Sequence, residues 1–177
     1  MKVLLLNGSP EKQLHSVGNR LTAFFASELE KGGAEVSVYS MAESAVPLLD
    51  LSIDHIPESV EKMCKQFSEA DAHIWLTPLY HGGMTGVMKN CLDWLELTST
   101  WDTPYLTNKK IGLVSWADGM QAMQGINNMD AVAKALRAWT LPYAIPICRS
   151  YLCPDDGDHF SPDYIVKFKR MIDLLIK

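Results

Sequence analysis

The sequence predicts an open, doubly wound α/β fold, in which helices cover both faces of a parallel sheet. Short apolar runs typical of buried strands alternate with longer segments of helical periodicity along the chain. Parallel strands joined by helices need right-handed crossovers, and this fold class provides them. A chain of 177 residues with 47% apolar side chains suits one domain, so we expect residues 1–177 to form a single unit.

The first half of the chain contains three predicted strands and two predicted helices. Mostly apolar runs predict the strands at residues 3–6, 36–39 and 72–76. The first helix begins near Ser16 and ends before Gly32 and Gly33, where a left-handed cap is expected. Pro57 favours the first turn of a second helix that runs to about Ser68.

The second half adds two strands and three helices. Apolar runs predict the strands at residues 111–116 and 144–148. Thr85 can cap a third helix that runs to about Leu95, with Val87 on its buried face. Apolar stripes predict the fourth and last helices, and these stripes are Met129, Val132, Ala133, Leu136 and Trp139, and then Ile165, Phe168, Ile172 and Leu175.

Charge and composition favour a small-molecule partner. Sixteen Lys and Arg against 21 Asp and Glu give a net charge of −5, which argues against binding to nucleic acid or to an anionic membrane. The opening apolar run is too short to span a bilayer and lacks a signal-peptide cleavage pattern, so we expect a cytoplasmic protein. The cysteines and histidines lack metal-site spacing, and residues 155–158 are interpreted as a solvated turn.

Three loops follow the carboxyl ends of predicted strands, where ligands bind in folds of this class. They span residues 7–19, 77–86 and 115–125. The first loop leads into a helix N-terminus, which attracts phosphate, but it lacks the sequence patterns of nucleoside triphosphate and dinucleotide loops. A monophosphate such as that of FMN therefore fits better than ATP or NAD. An ordinary strand-to-helix turn with Ser16 as the helix cap suits the same residues equally well.

The second loop and the helix after it resemble the NADPH-dependent FMN reductase family. The resemblance is carried by residues 77–95, which read Thr-Pro-Leu-Tyr-His-Gly-Gly-Met-Thr-Gly-Val-Met-Lys-Asn-Cys-Leu-Asp-Trp-Leu, and it extends through the other loops and most of the chain. It implies a flavodoxin-like fold with three layers and a doubly wound, parallel, five-stranded sheet of strand order 2-1-3-4-5. It also implies FMN as the cofactor and NADPH or NADH as the electron donor.

Carried over by position, the resemblance implies an FMN site made by the three loops. The phosphate would be held by Ser9, Ser16, Gly18 and Asn19. The isoalloxazine ring would be lined by Pro78, Leu79, Tyr80, His81 and Gly82, and its other edge would be closed by Ser115, Asp118 and Gly119. Because the cofactor carries the chemistry, no side chain need act as a nucleophile. His81 stands where the family usually has Asn, and it is either a proton donor or a plain loop histidine.

The implied activity is that of an FMN-dependent NAD(P)H oxidoreductase, in which a nicotinamide passes hydride to flavin N5 and an electron acceptor follows. Quinones, azo or nitro aromatics, metal oxyanions and free flavin are the acceptors that the resemblance allows. Two alternatives stay open: a flavodoxin-like electron-transfer protein that binds FMN without oxidising a nicotinamide, and a domain that has lost its flavin. The resemblance also implies a homodimer or homotetramer, with Trp94, Trp101 and Tyr105 buried between the chains.

Overall fold

A computed structural model describes residues 1–153, 157 and 159–177, and a parallel sheet lies at its centre. The strands within these residues are β1 (Lys2–Asn7), β2 (Glu35–Ser40), β3 (Ala72–Pro78), β4 (Lys110–Ala117), β5 (Trp139–Thr140) and β6 (Ile145–Cys148). The helices are α1 (Val17–Lys31), α2 (Glu58–Glu69), α3 (Gly86–Asp93), α4 (Ala122–Ala135), α5 (Arg149–Leu152) and α6 (Pro162–Ile176), with a 3-10 helix at Trp94–Thr98. Apart from Gly157, the turn predicted at residues 155–158 lies outside the described residues.

The strand order is β2-β1-β3-β4, with β5 and β6 together on the far side of β4. Every one of these strand pairs is parallel. The order confirms the predicted flavodoxin-like arrangement 2-1-3-4-5. The prediction of one fifth strand, and so of five strands in total, is wrong. Two short strands share that position, and Pro142, which has no N–H for the sheet, lies in the gap between them.

Two hydrophobic cores lie on opposite faces of the sheet, and strand β1 contributes to both. Leu4 and Leu6 pack with residues of α2, α3 and α4, whereas Val3 and Leu5 pack with residues of α1 and α6. All four side chains are fully buried, which explains why the strand has a continuous apolar run rather than an alternating pattern. Helices therefore cover both faces, and the three-layer prediction is confirmed.

The ends of two helices show where the predicted periodicity was right and where it was wrong. Thr85 caps α3 as predicted, because its hydroxyl accepts a hydrogen bond from the backbone N–H of Met88 at 3.2 Å. The fourth helical stripe was wrong to include Trp139, which lies in β5. Helix α4 ends before it, and Arg137 takes a left-handed conformation with φ of 64°.

Two predictions about exposed residues of the α3 region are also wrong. Val87, assigned to the buried face of α3, is 46% exposed. Trp94, expected between subunits, is 1% exposed within its own chain, and its indole N–H donates to the carbonyl of Pro47 at 2.8 Å. No helix within the described residues is long and apolar enough to cross a membrane.

Candidate functional site

The three loops meet at the carboxyl edge of β1, β3 and β4, and hydrogen bonds join them to one another. The backbone N–H of Gly8 donates to the carbonyl of Leu76 at 2.7 Å. The hydroxyl of Thr85 donates to the carbonyl of Gly8 at 2.6 Å. The backbone N–H of Leu79 donates to the carbonyl of Trp116 at 2.8 Å. These contacts fix the relative positions of the loops.

The first loop is held in shape by side-chain amides and hydroxyls. The buried Asn7 side chain accepts from the backbone N–H of Ser9 at 3.1 Å and donates to the Asn19 side chain at 3.0 Å. Asn19 in turn donates to the carbonyl of Gln13 at 2.9 Å. The Ser16 hydroxyl accepts from the backbone N–H of Asn19 at 3.3 Å, as the cap of α1. Asn7 was not among the predicted site residues, although its place directly after the predicted first strand was a usable signal.

Gly18 allows helix α1 to begin directly against this loop. A Cβ added at Gly18 would lie 2.8 Å from Oδ1 of Asn7 and 2.9 Å from Cβ of Ser9, closer than real Cβ contacts come. The missing side chain lets the first turn of the helix pack directly against the loop. Helix N-terminal amides and the hydroxyls of Ser9 and Ser16 are donors that suit a phosphate group.

The second loop contains a tight turn from Tyr80 to Gly83. Each of these two residues donates its backbone N–H to the other's carbonyl, at 3.0 and 3.2 Å. His81 and Gly82 have φ of 50° and 90°, the two positive values that a type I′ turn requires. Tyr80 and His81 are exposed, and no atom lies within 4 Å of a Cβ added at Gly82. The outer surface of the turn is therefore open to a flat ligand.

The three residues predicted on the third loop do not all face the same way. Asp118 is exposed, and its carboxylate pairs with the guanidinium of Arg149 at 3.1 Å. The hydroxyl of Ser115 is fully buried and has no hydrogen-bond partner among the described residues. A Cβ added at Gly125 of α4 would lie 2.2 Å from that hydroxyl, so Ser115 packs against the helix backbone. Asp118 and Gly119 reach the loop surface, whereas the Ser115 side chain faces the interior.

A small cavity of about 70 Å³ lies where the three loops meet. Its lining consists of Glu11, Pro78, Leu79, Tyr80, Trp116, Ala117, Asp118 and Arg149. Glu11 and Arg149 were not predicted as site residues, and Arg149 gave no signal because it lies far from the loops in sequence. A larger cleft of about 870 Å³ runs beside β5, and none of the predicted site residues lines it. The loop junction, which carries the polar donors, is therefore the better candidate site.

Buried thiols and metal-ligating groups do not contribute to this junction. Burial raises the pKa of the Cys64 thiol to about 11, and it also raises the pKa of Cys91. Both thiols therefore stay protonated inside the core at neutral pH. The described residues contain no group of three or more His, Cys, Asp or Glu side chains that could hold a metal ion.

We expect Ser16→Ala to weaken FMN binding and also to destabilise the fold. Loss of a donor to a charged phosphate costs about 2 kcal/mol of binding free energy. The same hydroxyl caps α1, so the free energy of unfolding should fall by about 1 kcal/mol. FMN titration and urea unfolding measure the two effects separately. Unchanged FMN affinity would place the phosphate away from this helix.

We expect His81→Asn to retain both the turn and flavin binding. Asn tolerates the left-handed conformation at this position, so the free energy of unfolding should be unchanged or higher by up to about 1 kcal/mol. His81→Val is the matched control, because a β-branched residue with positive φ is strained. Urea unfolding and FMN titration test both variants. A role of His81 as proton donor would be supported only if the pH–rate profile of His81→Asn differed from that of the wild type.

The chain is similar to known proteins along most of its length. A family model described as NADPH-dependent FMN reductase matches residues 1–150. An FMN-dependent NADPH-azoreductase of Staphylococcus haemolyticus is 25% identical over 184 residues, which cover 99% of this chain and 94% of that protein. The NADPH-dependent FMN reductase ArsH of Acidithiobacillus ferrooxidans is 29% identical over 175 residues, which cover 98% of this chain and 70% of that protein.

Among solved structures, the chain is similar to FerB, a flavoenzyme NAD(P)H:(acceptor) oxidoreductase from Paracoccus denitrificans. The two superpose with a TM-score of 0.75 at 18% sequence identity, covering 99% of this chain and 97% of that chain. The azoreductase AzrA gives a TM-score of 0.67 at 15% identity and covers 99% of both chains. At these identities the likeness shows a shared fold.

Proposed function

Because the chain belongs to the NADPH-dependent FMN reductase family, we propose that its three joined loops form the FMN site of an NAD(P)H-dependent oxidoreductase. Membership of this family identifies the chain as an FMN-dependent oxidoreductase. Our proposal concerns which loop residues hold the flavin. The observation that carries it is the close approach at Gly18, where an added Cβ would clash with Asn7 and Ser9 at the start of helix α1. This approach brings the hydroxyls of Ser9 and Ser16 close to the N-terminal amides of α1, and these donors suit a phosphate.

The residues present fit the two parts of FMN, its phosphate and its ring. The phosphate would be held by the start of α1 with Ser9, Ser16, Gly18 and Asn19. The ring would lie along Pro78, Leu79, Tyr80, His81 and Gly82, with Asp118 and Gly119 at its other edge. When bound, FMN supplies the chemistry of accepting a hydride from a reduced nicotinamide and passing electrons to an acceptor.

The contribution of the chain is to bind the flavin and to orient it. Tyr80 and Gly83 satisfy each other's backbone groups, so the outward backbone groups of His81 and Gly82 are left to contact a ligand. The hydrogen bonds among the loops hold this turn in a fixed position relative to the first loop. Such preorganisation is what a hydride donor and acceptor need to meet at contact distance.

We further propose a small, flat electron acceptor such as a quinone or an azo or nitro aromatic, while metal oxyanions and free flavin remain candidates. The side chain of Met120 is 82% exposed on the third loop, and Met adapts its shape to varied apolar partners. The name of the staphylococcal relative supports azo compounds within this class.

We also propose that the protein is a cytoplasmic homo-oligomer. The segment between β2 and α2 exposes large apolar side chains, among them Leu48 at 83% and Leu51 at 61%. Beside it, Val87 of α3 lines a cleft of about 360 Å³ together with Leu48. Exposed apolar groups of this kind favour association. Light scattering at micromolar concentration should give at least a dimer, and a monomer would remove this part of the proposal.

The enzymatic proposal is tested by oxidation of NADPH and NADH in the presence of FMN and a quinone. Fast oxidation that needs both the chain and FMN supports the reductase and identifies its preferred donor. Bound FMN without nicotinamide oxidation would favour the electron-transfer alternative. Absence of any FMN binding would favour a domain that has lost its flavin.

A further inference from the structure

Glu11 contacts the hydroxyl that the proposed site offers to a phosphate. The hydroxyl of Ser9 donates a hydrogen bond to Oε2 of Glu11 at 3.4 Å. In return, the backbone N–H of Glu11 donates to the Ser9 hydroxyl at 3.2 Å. Ser9 is fully buried and its hydroxyl has a single proton, so that proton can serve only one acceptor at a time. In this structure the acceptor is a carboxylate of the chain itself.

Within the described residues, the Glu11 carboxylate is not paired in a salt bridge. Glu11 is half-buried and lines the small cavity at the loop junction together with Pro78 and Tyr80. Arg149 lines the same cavity, but its guanidinium pairs with Asp118 at 3.1 Å. A second anion brought to Ser9 would therefore meet like charge in a partly desolvated place.

We propose that Glu11 sets the flavin selectivity of this chain by competing with the flavin phosphate for Ser9. The inference rests on the proposed function, because it takes the first loop to be the phosphate site. The FMN phosphate must displace the carboxylate from Ser9 or lie beside it, and either arrangement weakens the advantage that the phosphate group confers. Riboflavin has the same ring system but no phosphate, so it escapes this competition.

Two consequences follow for the ligand class. The chain accepts unphosphorylated flavin as well as FMN, because Glu11 offsets part of the binding that the phosphate donors provide. FMN also exchanges with free flavin in solution instead of remaining permanently bound. Flavins without a phosphate are therefore ligands of this site together with FMN.

The test compares the dissociation constants of FMN and riboflavin for the full chain, measured by flavin fluorescence at low and high salt. We expect Glu11→Gln to tighten FMN binding about tenfold while changing riboflavin binding less than about twofold. The gain should shrink at high salt, because screening weakens repulsion between charges. Glu30→Gln is the matched control, since it removes the same charge from an exposed position at the far end of α1, and it should change neither constant.

Three other outcomes would overturn the inference. Equal changes for FMN and riboflavin in Glu11→Gln would mean that Glu11 acts on the ring or on the loop as a whole. Unchanged constants, with the wild-type chain strongly preferring FMN, would mean that the carboxylate moves aside without cost. A wild-type chain that binds neither flavin, while keeping a cooperative unfolding transition, would overturn the proposed function and this inference with it.

Discussion

Replacing Gly18 with Ala should weaken FMN binding by about tenfold to a hundredfold. The added Cβ would lie 2.8 Å from Oδ1 of Asn7 and 2.9 Å from Cβ of Ser9, so the loop or the helix must shift. Such a shift separates the helix N-terminal amides from the loop hydroxyls, and each lost hydrogen bond to a charged group costs about 1.5–3 kcal/mol. Overpacking of this kind also lowers the free energy of unfolding by about 1–3 kcal/mol. FMN titration and urea unfolding measure these two losses.

Gly86→Ala is the matched control for this substitution. Gly86 is the first residue of α3, and no atom lies within 4 Å of a Cβ added there. Ala is the better helix former, so this variant should keep the wild-type stability and FMN affinity. If Gly18→Ala bound FMN as tightly as Gly86→Ala, the first loop would not be the phosphate site.

The second large effect concerns the stability of the fold at acid pH and depends on His73 in β3. Burial, with the nearby positive charge of Lys109 as a smaller cause, lowers the pKa of His73 from 6.5 to about 3. Its Nε2 lies 3.2 Å from the carbonyl of Phe67, whereas Nδ1 is buried without a partner among the described residues. Lys109 is fixed nearby because its ammonium donates to the carbonyls of Ser68 and Ala70 at the end of α2.

The sign of the pH effect follows from this lowered pKa. Between pH 6.5 and about 3 the unfolded chain binds a proton at His73 while the folded chain does not. The stabilising contribution is complete above pH 6.5 and is lost as the pH falls toward 3, at about 1.4 kcal/mol per pH unit. The total loss is on the order of 4–5 kcal/mol, a large share of the stability of a typical domain.

Urea unfolding between pH 7 and 4 measures this contribution in wild type and in His73→Gln. The variant should be less stable at pH 7, because a different shape fills a tightly packed site, but its stability should fall less steeply with acid. The exposed His55 gives the matched control, since His55→Gln should reproduce the wild-type pH dependence. Parallel curves for wild type and His73→Gln would contradict a neutral, buried His73.

The sequence predicted most of the sheet because burial on both faces leaves an unambiguous pattern. The continuous apolar runs at residues 3–6 and 72–76 became β1 and β3, in the interior of the sheet. The errors fall where local pattern and tertiary contacts disagree. Trp139 continues a helical spacing from α4 but pairs with Lys110 in the sheet, and Trp94 became buried because the chain returns to it at Pro47. Contacts between distant segments leave no periodic trace in a sequence.

The sequence was enough to predict which three loops form the candidate site, but not the contacts that individual side chains make there. Residue types and strand ends predicted that the first, second and third loops would meet, and hydrogen bonds at Gly8 and Leu79 join them. The inward direction of Ser115 depends on the close approach of α4 at Gly125, which no local pattern encodes. The contact between Glu11 and Ser9 likewise depends on the exact path of the loop. Such side-chain directions are set by packing between elements that are distant in sequence.

The most direct test of the central claim is the anaerobic absorption spectrum of the chain with stoichiometric FMN, recorded before and after adding NADPH. The chain is used at a concentration above its FMN dissociation constant, so that the flavin is bound even if it exchanges. The account predicts a shifted flavin spectrum on binding and fast bleaching of the visible band by NADPH, with slower bleaching in Gly18→Ala. An unshifted spectrum, or bleaching no faster than with NADPH and free FMN alone, would contradict the account.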